Sequence, residues 1–296
     1  MKTRLLLVVL VAFLSLTTKA FADPDPNFFI YLCFGQSNME SGGRMDAQDK
    51  TVDKRFQVMA DFDAPNRGWK KGNWYDAVPP LAAKGSGICM IDYFGRTMVA
   101  NLPEKNRVGV IKVSVPGCKI ELFEKDTFQT YLDDKGTADW LRNAAKQYSG
   151  NPYQYLVDQG KRAQKDGVIK GILLHQGESN PNDKEWTKKV KGIYDNLIKD
   201  LNLKPEDVPF LAGETVNADQ QGVCAGFNKI MADLPKALPN SFVISSAGCT
   251  CNSDHMHFDS AGSRKFGARY AEKMLALEGF PIKDAASQPA TQPKAP

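Results

Sequence analysis

YLCFGQSNMESGG, residues 31–43, carries an apolar run straight into a Gly-Gln-Ser-Asn-Met turn. Residues 28–34 have the length and apolar character of a strand buried on both faces. Gly35 ends that run, and Ser37 follows two residues later. A serine there is either a turn residue that caps the next helix or a nucleophile held at the carboxyl edge of a sheet. What other strands deliver to the same edge decides between the two.

Four further apolar runs, 108–115, 168–175, 208–212 and 241–245, resemble the first. Amphipathic helical patterns fall between and around them at 87–101, 153–165, 184–201, 222–237 and 260–277, the last opening on Ser260 as its N-cap. Strand and helix in alternation predict right-handed crossovers, and hence a three-layer α/β/α sandwich around a central, mostly parallel five-stranded sheet. Sites in such sheets form beyond the carboxyl ends of the strands. Gly35-Gln36-Ser37 follows the first strand, Pro116-Gly117-Cys118 the second and Gln176-Gly177-Glu178 the third, while Asp254 and His257 come after the fifth. Residues 40–87 form a long insertion containing Gly and Trp, expected to fold over this edge. No internal repeat or second domain boundary interrupts residues 23–284.

Residues 1–22 combine Lys2 and Arg4, an apolar stretch and Ala20-Phe21-Ala22, the pattern of a secretory signal cleaved near Ala22. The expectation is a secreted or periplasmic protein with no membrane span. Without Lys2, Arg4 and Lys19 the chain has 35 basic and 34 acidic residues, a balance that argues against nucleic acid as partner. Residues 285–296, AASQPATQPKAP, read as a disordered tail. Of six cysteines, Cys33 and Cys89 lie in apolar segments and read as buried thiols. Cys249 and Cys251 could bridge locally with Cys224, although pairing is not a property of sequence.

Serine hydrolysis needs a hydroxyl, an imidazole to take its proton and a carboxylate to orient the imidazole. Histidine is the scarce component, with only His175, His255 and His257 available. Asp254-His255-Met256-His257 offers a carboxylate three residues before an imidazole, a spacing that alone is weak evidence. The same residues could instead ligate zinc, but no His-Glu-x-x-His helix accompanies them. The Gly-x-Ser-x-Gly elbow of α/β-hydrolases is missing as well.

GQSNM (35–39) resembles the first block of the SGNH/GDSL-like hydrolases, in the branch that holds carbohydrate esterase family 6 acetylxylan esterases and sialate O-acetylesterases. HQGESN (175–180) is similar to that branch's third block, and DHMHFDSAGSRKFGARYAEKM (254–274) to its final block and closing helix. VPGCKIELF (115–123) is similar to the second block except that Pro116 replaces a glycine. The resemblance implies a flavodoxin-like SGNH fold, Ser37 as nucleophile, His257 as general base and acid, and Asp254 as its orienting partner. It also implies an oxyanion hole from the N–H groups of Ser37 and Gly117 and the side-chain amide of Gln176, and no cofactor or metal.

Gln36, Asn38 and Glu178 are expected to brace the site, Glu178 within a buried network, with orientation of His257 as its alternative role. His175 reads as a packed residue near the site and His255 as a loop residue. Trp69, Trp74 and Tyr75 read as packing residues before sugar-stacking ones. The implied function is a secreted serine esterase that removes O-acetyl groups from carbohydrate, acetylated xylan or a related plant polysaccharide first. Sialate O-acetylesterase is the near alternative, and a catalytically idle carbohydrate-binding protein on the same fold the alternative of another class.

Overall fold

A computed structural model describes residues 23–82 and 87–283. The expected leader, 1–22, and tail, 285–296, lie outside the described residues. The strands are β1 (Phe28–Gly35), β2 (Phe56–Met59), β3 (Trp74–Asp76), β4 (Arg107–Ser114), β5 (Val168–His175), β6 (Phe210–Gly213) and β7 (Ser241–Ile244), in one sheet of order β3-β2-β4-β1-β5-β6-β7. The five expected strands take the flavodoxin-like order, second-first-third-fourth-fifth, all parallel. Gly35, the last residue of β1, sits level with Ser114 of β4 and His175 of β5. The three chains therefore leave the sheet at the same height, between the strands where the order reverses.

The insertion differs from expectation. Instead of folding over the carboxyl edge it widens the sheet to seven strands, β2 joining β4 in parallel and β3 turning back antiparallel to β2. An unpaired flank of β4 would expose a row of donors and acceptors, and β2 covers it. β2 is only four residues long, so its pattern is too brief to stand out as a strand.

The helices are α1 (Ser37–Glu40), α2 (Met90–Asn101), α3 (Phe128–Asp133), α4 (Asp139–Gln147), α5 (Pro152–Ala163), α6 (Trp186–Asp200), α7 (Asn228–Met231), α8 (Leu234–Ala237) and α9 (Ser260–Leu277). Alternate residues of β1 serve two cores: Ile30, Leu32 and Phe34 meet α5 and α6, while Tyr31 and Cys33 meet α2 and α9. In α6, Trp186, Val190, Ile193, Tyr194 and Leu197 are buried on one stripe, each side chain contributing roughly 1.5–3 kcal/mol of transfer free energy.

The expected helix 222–237 is broken into a short 3₁₀ turn, α7 and α8; between the two helices Pro235, in the first turn of α8, has no N–H to donate back to Met231 at the end of α7. α9 is capped by Asp259, whose carboxylate accepts from the Gly262 N–H at 2.7 Å; Ser260, the expected cap, donates to the Arg44 carbonyl instead. No cysteine is bridged, Cys224 and Cys251 lying against the carbonyls of Glu178 and Gln220. Cys33 and Cys89 are buried as expected, and burial pushes the Cys89 thiol up to about 12.

α2 and α9 pack closely because Gly267 has no side chain: a Cβ there would lie 2.1 Å from the Met90 carbonyl oxygen. Gly267→Ala should therefore cost about 1–3 kcal/mol, read as a lower urea midpoint at unchanged slope. An unchanged midpoint would show that the helices can separate freely.

Candidate active site

Ser37 is placed by its neighbours. Gly35 adopts φ +152°, and a Cβ on it would stand 2.0 Å from the His175 carbonyl oxygen, so only glycine lets β1 and β5 close up here. The Gln36 N–H then donates to that carbonyl at 3.1 Å, and α1 starts at Ser37. As a first-turn residue, Ser37 has an N–H with no partner inside its helix. The buried Lys112 ammonium pins the far end of α1 by donating to the Glu40 carbonyl at 2.5 Å.

Ser37 Oγ lies 2.8 Å from His257 Nε2, and His257 Nδ1 lies 2.7 Å from Asp254 Oδ2. Asp254 also folds the loop that presents the ring, its Oδ1 accepting from the N–H groups of Met256 and His257 at 2.9 and 3.0 Å. Burial pulls this carboxyl upward, yet the bonds from the His257 ring and the two backbone N–H groups outweigh it and hold Asp254 at about 2. An ionised carboxylate only accepts, so His257 Nδ1 carries a proton and Nε2 is left to accept from the Ser37 hydroxyl.

Glu178 does not touch that ring. Its Oε1 lies 2.9 Å from Nε2 of the fully buried His175 and accepts from Asn38 Nδ2 at 2.8 Å. Burial raises the Glu178 carboxyl, but the electrostatic attraction of the His175 ring and the hydrogen bonds from His175, Asn38 and the backbone bring it below its ordinary value. Asn38 spans the site: beyond Glu178, its Nδ2 donates to the Met256 carbonyl at 3.0 Å and its Oδ1 accepts from the Phe258 N–H at 3.1 Å. It thereby ties the helix bearing Ser37 to the loop bearing His257.

The second loop accommodates Pro116 without distortion. Val115 to Cys118 forms a turn closed by the Cys118 N–H on the Val115 carbonyl at 3.2 Å, with Gly117 at φ +67°. Proline second and a left-handed glycine third is the composition of a type II turn. The Ser179 hydroxyl clamps the Gly117 carbonyl at 3.0 Å. Gln176 is buried behind this turn, its Nε2 within 3.2 Å of Gln36 Oε1, 3.3 Å of the Cys118 carbonyl and 2.6 Å of Asn180 Oδ1, while Trp186 Nε1 donates to its Oε1 at 2.6 Å. Two amide hydrogens thus serve three acceptors, and one would have to leave its partner to reach a bound oxyanion.

Two residues of the third block escaped the sequence reading. Ser179 is the clamp just described, and Asn180 accepts from the Ile120 N–H at 2.9 Å and Gln176, donating onward to Glu121 and Asp183. Their place in HQGESN was the available signal. Trp74 lies away from the site, edge-on to Phe28 with Nε1 on Asp166, while Trp69 stacks on Tyr75 under Arg67. His255 turns Nδ1 toward the Gln220 carbonyl at 3.1 Å. No group of three His, Cys, Asp or Glu able to hold a metal ion occurs among the described residues.

A hydroxyl, imidazole and carboxylate in sequence at the carboxyl edge of a flavodoxin-like sheet define the equipment of an SGNH-type ester hydrolase. The family model described as carbohydrate esterase, sialic acid-specific acetylesterase matches residues 27–276, and the chain belongs to that family of carbohydrate O-acetylesterases. The fold is shared with an Arabidopsis thaliana protein (TM-score 0.64, 19% identity, covering 85% of this chain and 99% of that one). It is shared too with NanS (TM-score 0.62, 15% identity, 87% and 99%). A carbohydrate acetylesterase from Xanthomonas citri matches at TM-score 0.58 and 17% identity over 84% of this chain, which spans 56% of that larger protein.

Asn38→Leu leaves Glu178, the Met256 carbonyl and the Phe258 N–H short of a partner and should cost about 3–5 kcal/mol; a melting midpoint within a degree of the parent's would mean the loop is held elsewhere. Asp254 titrates near 2 when folded against roughly 3.9 unfolded. A lowered carboxyl contributes stability above about pH 4 and loses it as pH falls towards 2, an effect solvent weakens because the side chain is 49% exposed. Asp254→Asn should therefore flatten the acid limb of stability between pH 4 and 2. Equal slopes in variant and parent would remove that pair from the acid response.

Proposed function

We propose that this protein is an exported serine esterase that removes acetyl groups from carbohydrate through an acetyl-Ser37 intermediate. The single observation that carries this reading is the contact chain from Ser37 Oγ through His257 to Asp254, at 2.8 and 2.7 Å. In the first half-reaction, Ser37 Oγ attacks the ester carbonyl carbon while its proton passes to His257 Nε2. The imidazolium is balanced by Asp254, and its proton then goes to the departing sugar oxygen as the C–O bond breaks. Water repeats the sequence on the acetyl-enzyme, giving its proton to His257 and releasing acetate with Ser37 restored.

Charge on the tetrahedral oxygen requires donors fixed beforehand, each worth roughly 3 kcal/mol where tested. The N–H groups of Ser37 and Gly117 fill that role. Asn38, Glu178 and Gln36 hold the frame, and Gln176 braces the second loop, joining the donors where its amide turns from Cys118 or Gln36. Residues 1–22 act as the export leader. Acetylated xylan or a related plant polysaccharide is the first substrate class; O-acetylated sialic acid is the second, favoured by the description of the matching family.

Ser37→Ala should keep the fold and lower acetate release by at least about 10⁴-fold, as nucleophile loss does elsewhere. An active Ser37→Ala protein, or failure of an organophosphate to label residue 37 in the parent, would overturn the mechanism. Acetate measured from acetylated xylan, acetylated pectin and O-acetyl sialosides separates the substrate classes.

A further inference from the structure

A cleft of about 550 Å³ opens directly beside the second loop, starting at Gly117 and Ser179, within the range usual for small-molecule sites. Its walls come mainly from residues 119–141. Trp140, in the first turn of α4, lies on this wall with 56% of its surface exposed. Its ring edge sits against Gly117, 2.6 Å from where a Cβ on that residue would stand. A large flat apolar ring left in water beside a reaction centre is surface that a ligand can cover.

The platform is fixed. Arg142, also on α4, donates from Nε to the Leu132 carbonyl and from Nη2 to the Asp134 carbonyl, both at 2.7 Å, locking α4 to the carboxyl end of α3. Across the cleft, Tyr131 is held by the Lys119 N–H on its hydroxyl at 3.2 Å and lines the same space. Around these rings stand three carboxylates, Glu121, Glu124 and Asp134, against one ammonium, Lys119. Burial raises the Glu121 carboxyl, but hydrogen bonds from Lys189 and Asn180 outweigh it and keep the group ionised. Lys189 is shared between Glu121 and Asp183, and the Arg142 guanidinium is paired with Asp139, so with these partners counted negative charge prevails.

The geometry points to Trp140 as the stacking platform of a glycosyl subsite that takes an uncharged sugar ring and disfavours an anionic one. A pyranose offers a C–H face to an aromatic ring and hydroxyl donors around its rim, which match acceptor-only carboxylates. A sialic acid residue would instead bring its own carboxylate among three others. This assignment rests on the ester hydrolysis proposed above, and it makes Trp140 a specificity residue for neutral acetylated saccharides.

The test compares kcat/KM on an acetylated xylo-oligosaccharide with that on 4-nitrophenyl acetate, which shares the acyl step and lacks the sugar. In Trp140→Ala the ratio of the two should fall about 10- to 100-fold, mainly through KM, while Trp140→Phe recovers most of it. Damage to the Gly117 turn slows both substrates and leaves the ratio in place, so a ratio within about threefold of the parent's overturns the proposal. Paired Glu124→Gln and Asp134→Asn substitutions should narrow the preference for the neutral ester over an O-acetyl sialoside by about fivefold or more; an unmoved preference overturns the charge selection. Calorimetric titration of unacetylated xylotetraose into Ser37→Ala protein, with and without Trp140→Ala, reads the subsite without turnover. Binding that depends on Trp140 sustains the subsite even if the parent releases no acetate, whereas binding indifferent to Trp140, or none, removes it while leaving esterase activity to be judged separately.

Discussion

The contact between Ser37 and His257 joins residues 220 positions apart in the chain, and the rest of the site depends on keeping their backbones still. Asn38 does this from the position next to Ser37. One amide reaches the residue before His257, the residue after it and a carboxylate from the loop after β5. Such a bracket works only where its members are dry and paired, since a buried polar group without a partner is costly and a satisfied one is rigid. Asn38 and Glu178 are both nearly fully buried, so the bonds are made in a low-dielectric setting and resist exchange with water.

Sheet register supplies the second condition. Because Gly35 stands level with Ser114 and His175, the three following loops depart side by side, and Gly35 lets the β5 carbonyl approach where any side chain would collide with it. Both helix layers then hold the strands from the two sides. The turn at Pro116 and Gly117 shows how a departure from the usual block is absorbed: proline presets one turn position, glycine the next, and the Ser179 hydroxyl fixes the carbonyl that results.

Reaction and recognition are built from different materials. The bond-breaking groups proposed here occupy the short blocks after strands, held by buried hydrogen bonds. The cleft beside them is formed mainly by residues 119–141, the chain leading into α3 together with α3, the turn after it and the start of α4, a polar segment that carries the carboxylates and the exposed Trp140. In the proposed subsite, small changes in such a segment would alter which ring is accepted without disturbing the dry network beneath Ser37.

Local chemistry made much of this legible in advance. The five parallel strands, the major helices and the blocks containing Ser37, Gln176, Glu178, Asp254 and His257 follow from apolar runs, their periodicity and the glycines that end them. β2 and β3 were hidden because four- and three-residue strands carry too little pattern, and their pairing with β4 is a matter of which edge lies bare. Whether Asp254 or Glu178 meets the His257 ring was equally open, for both are acidic and both lie three residues from a histidine. Side-chain direction settled it, Asp254 folding back on its own loop and Glu178 turning inward to His175 and Asn38. Sequence by itself determined the residue types, the five core strand segments and the loops that follow them, because these depend on neighbours along the chain. Only the tertiary structure decided partners, the place of Trp140 beside Gly117 and the packing of Trp74 against Phe28 and Asp166, because those depend on which distant segments the packed sheet brings together.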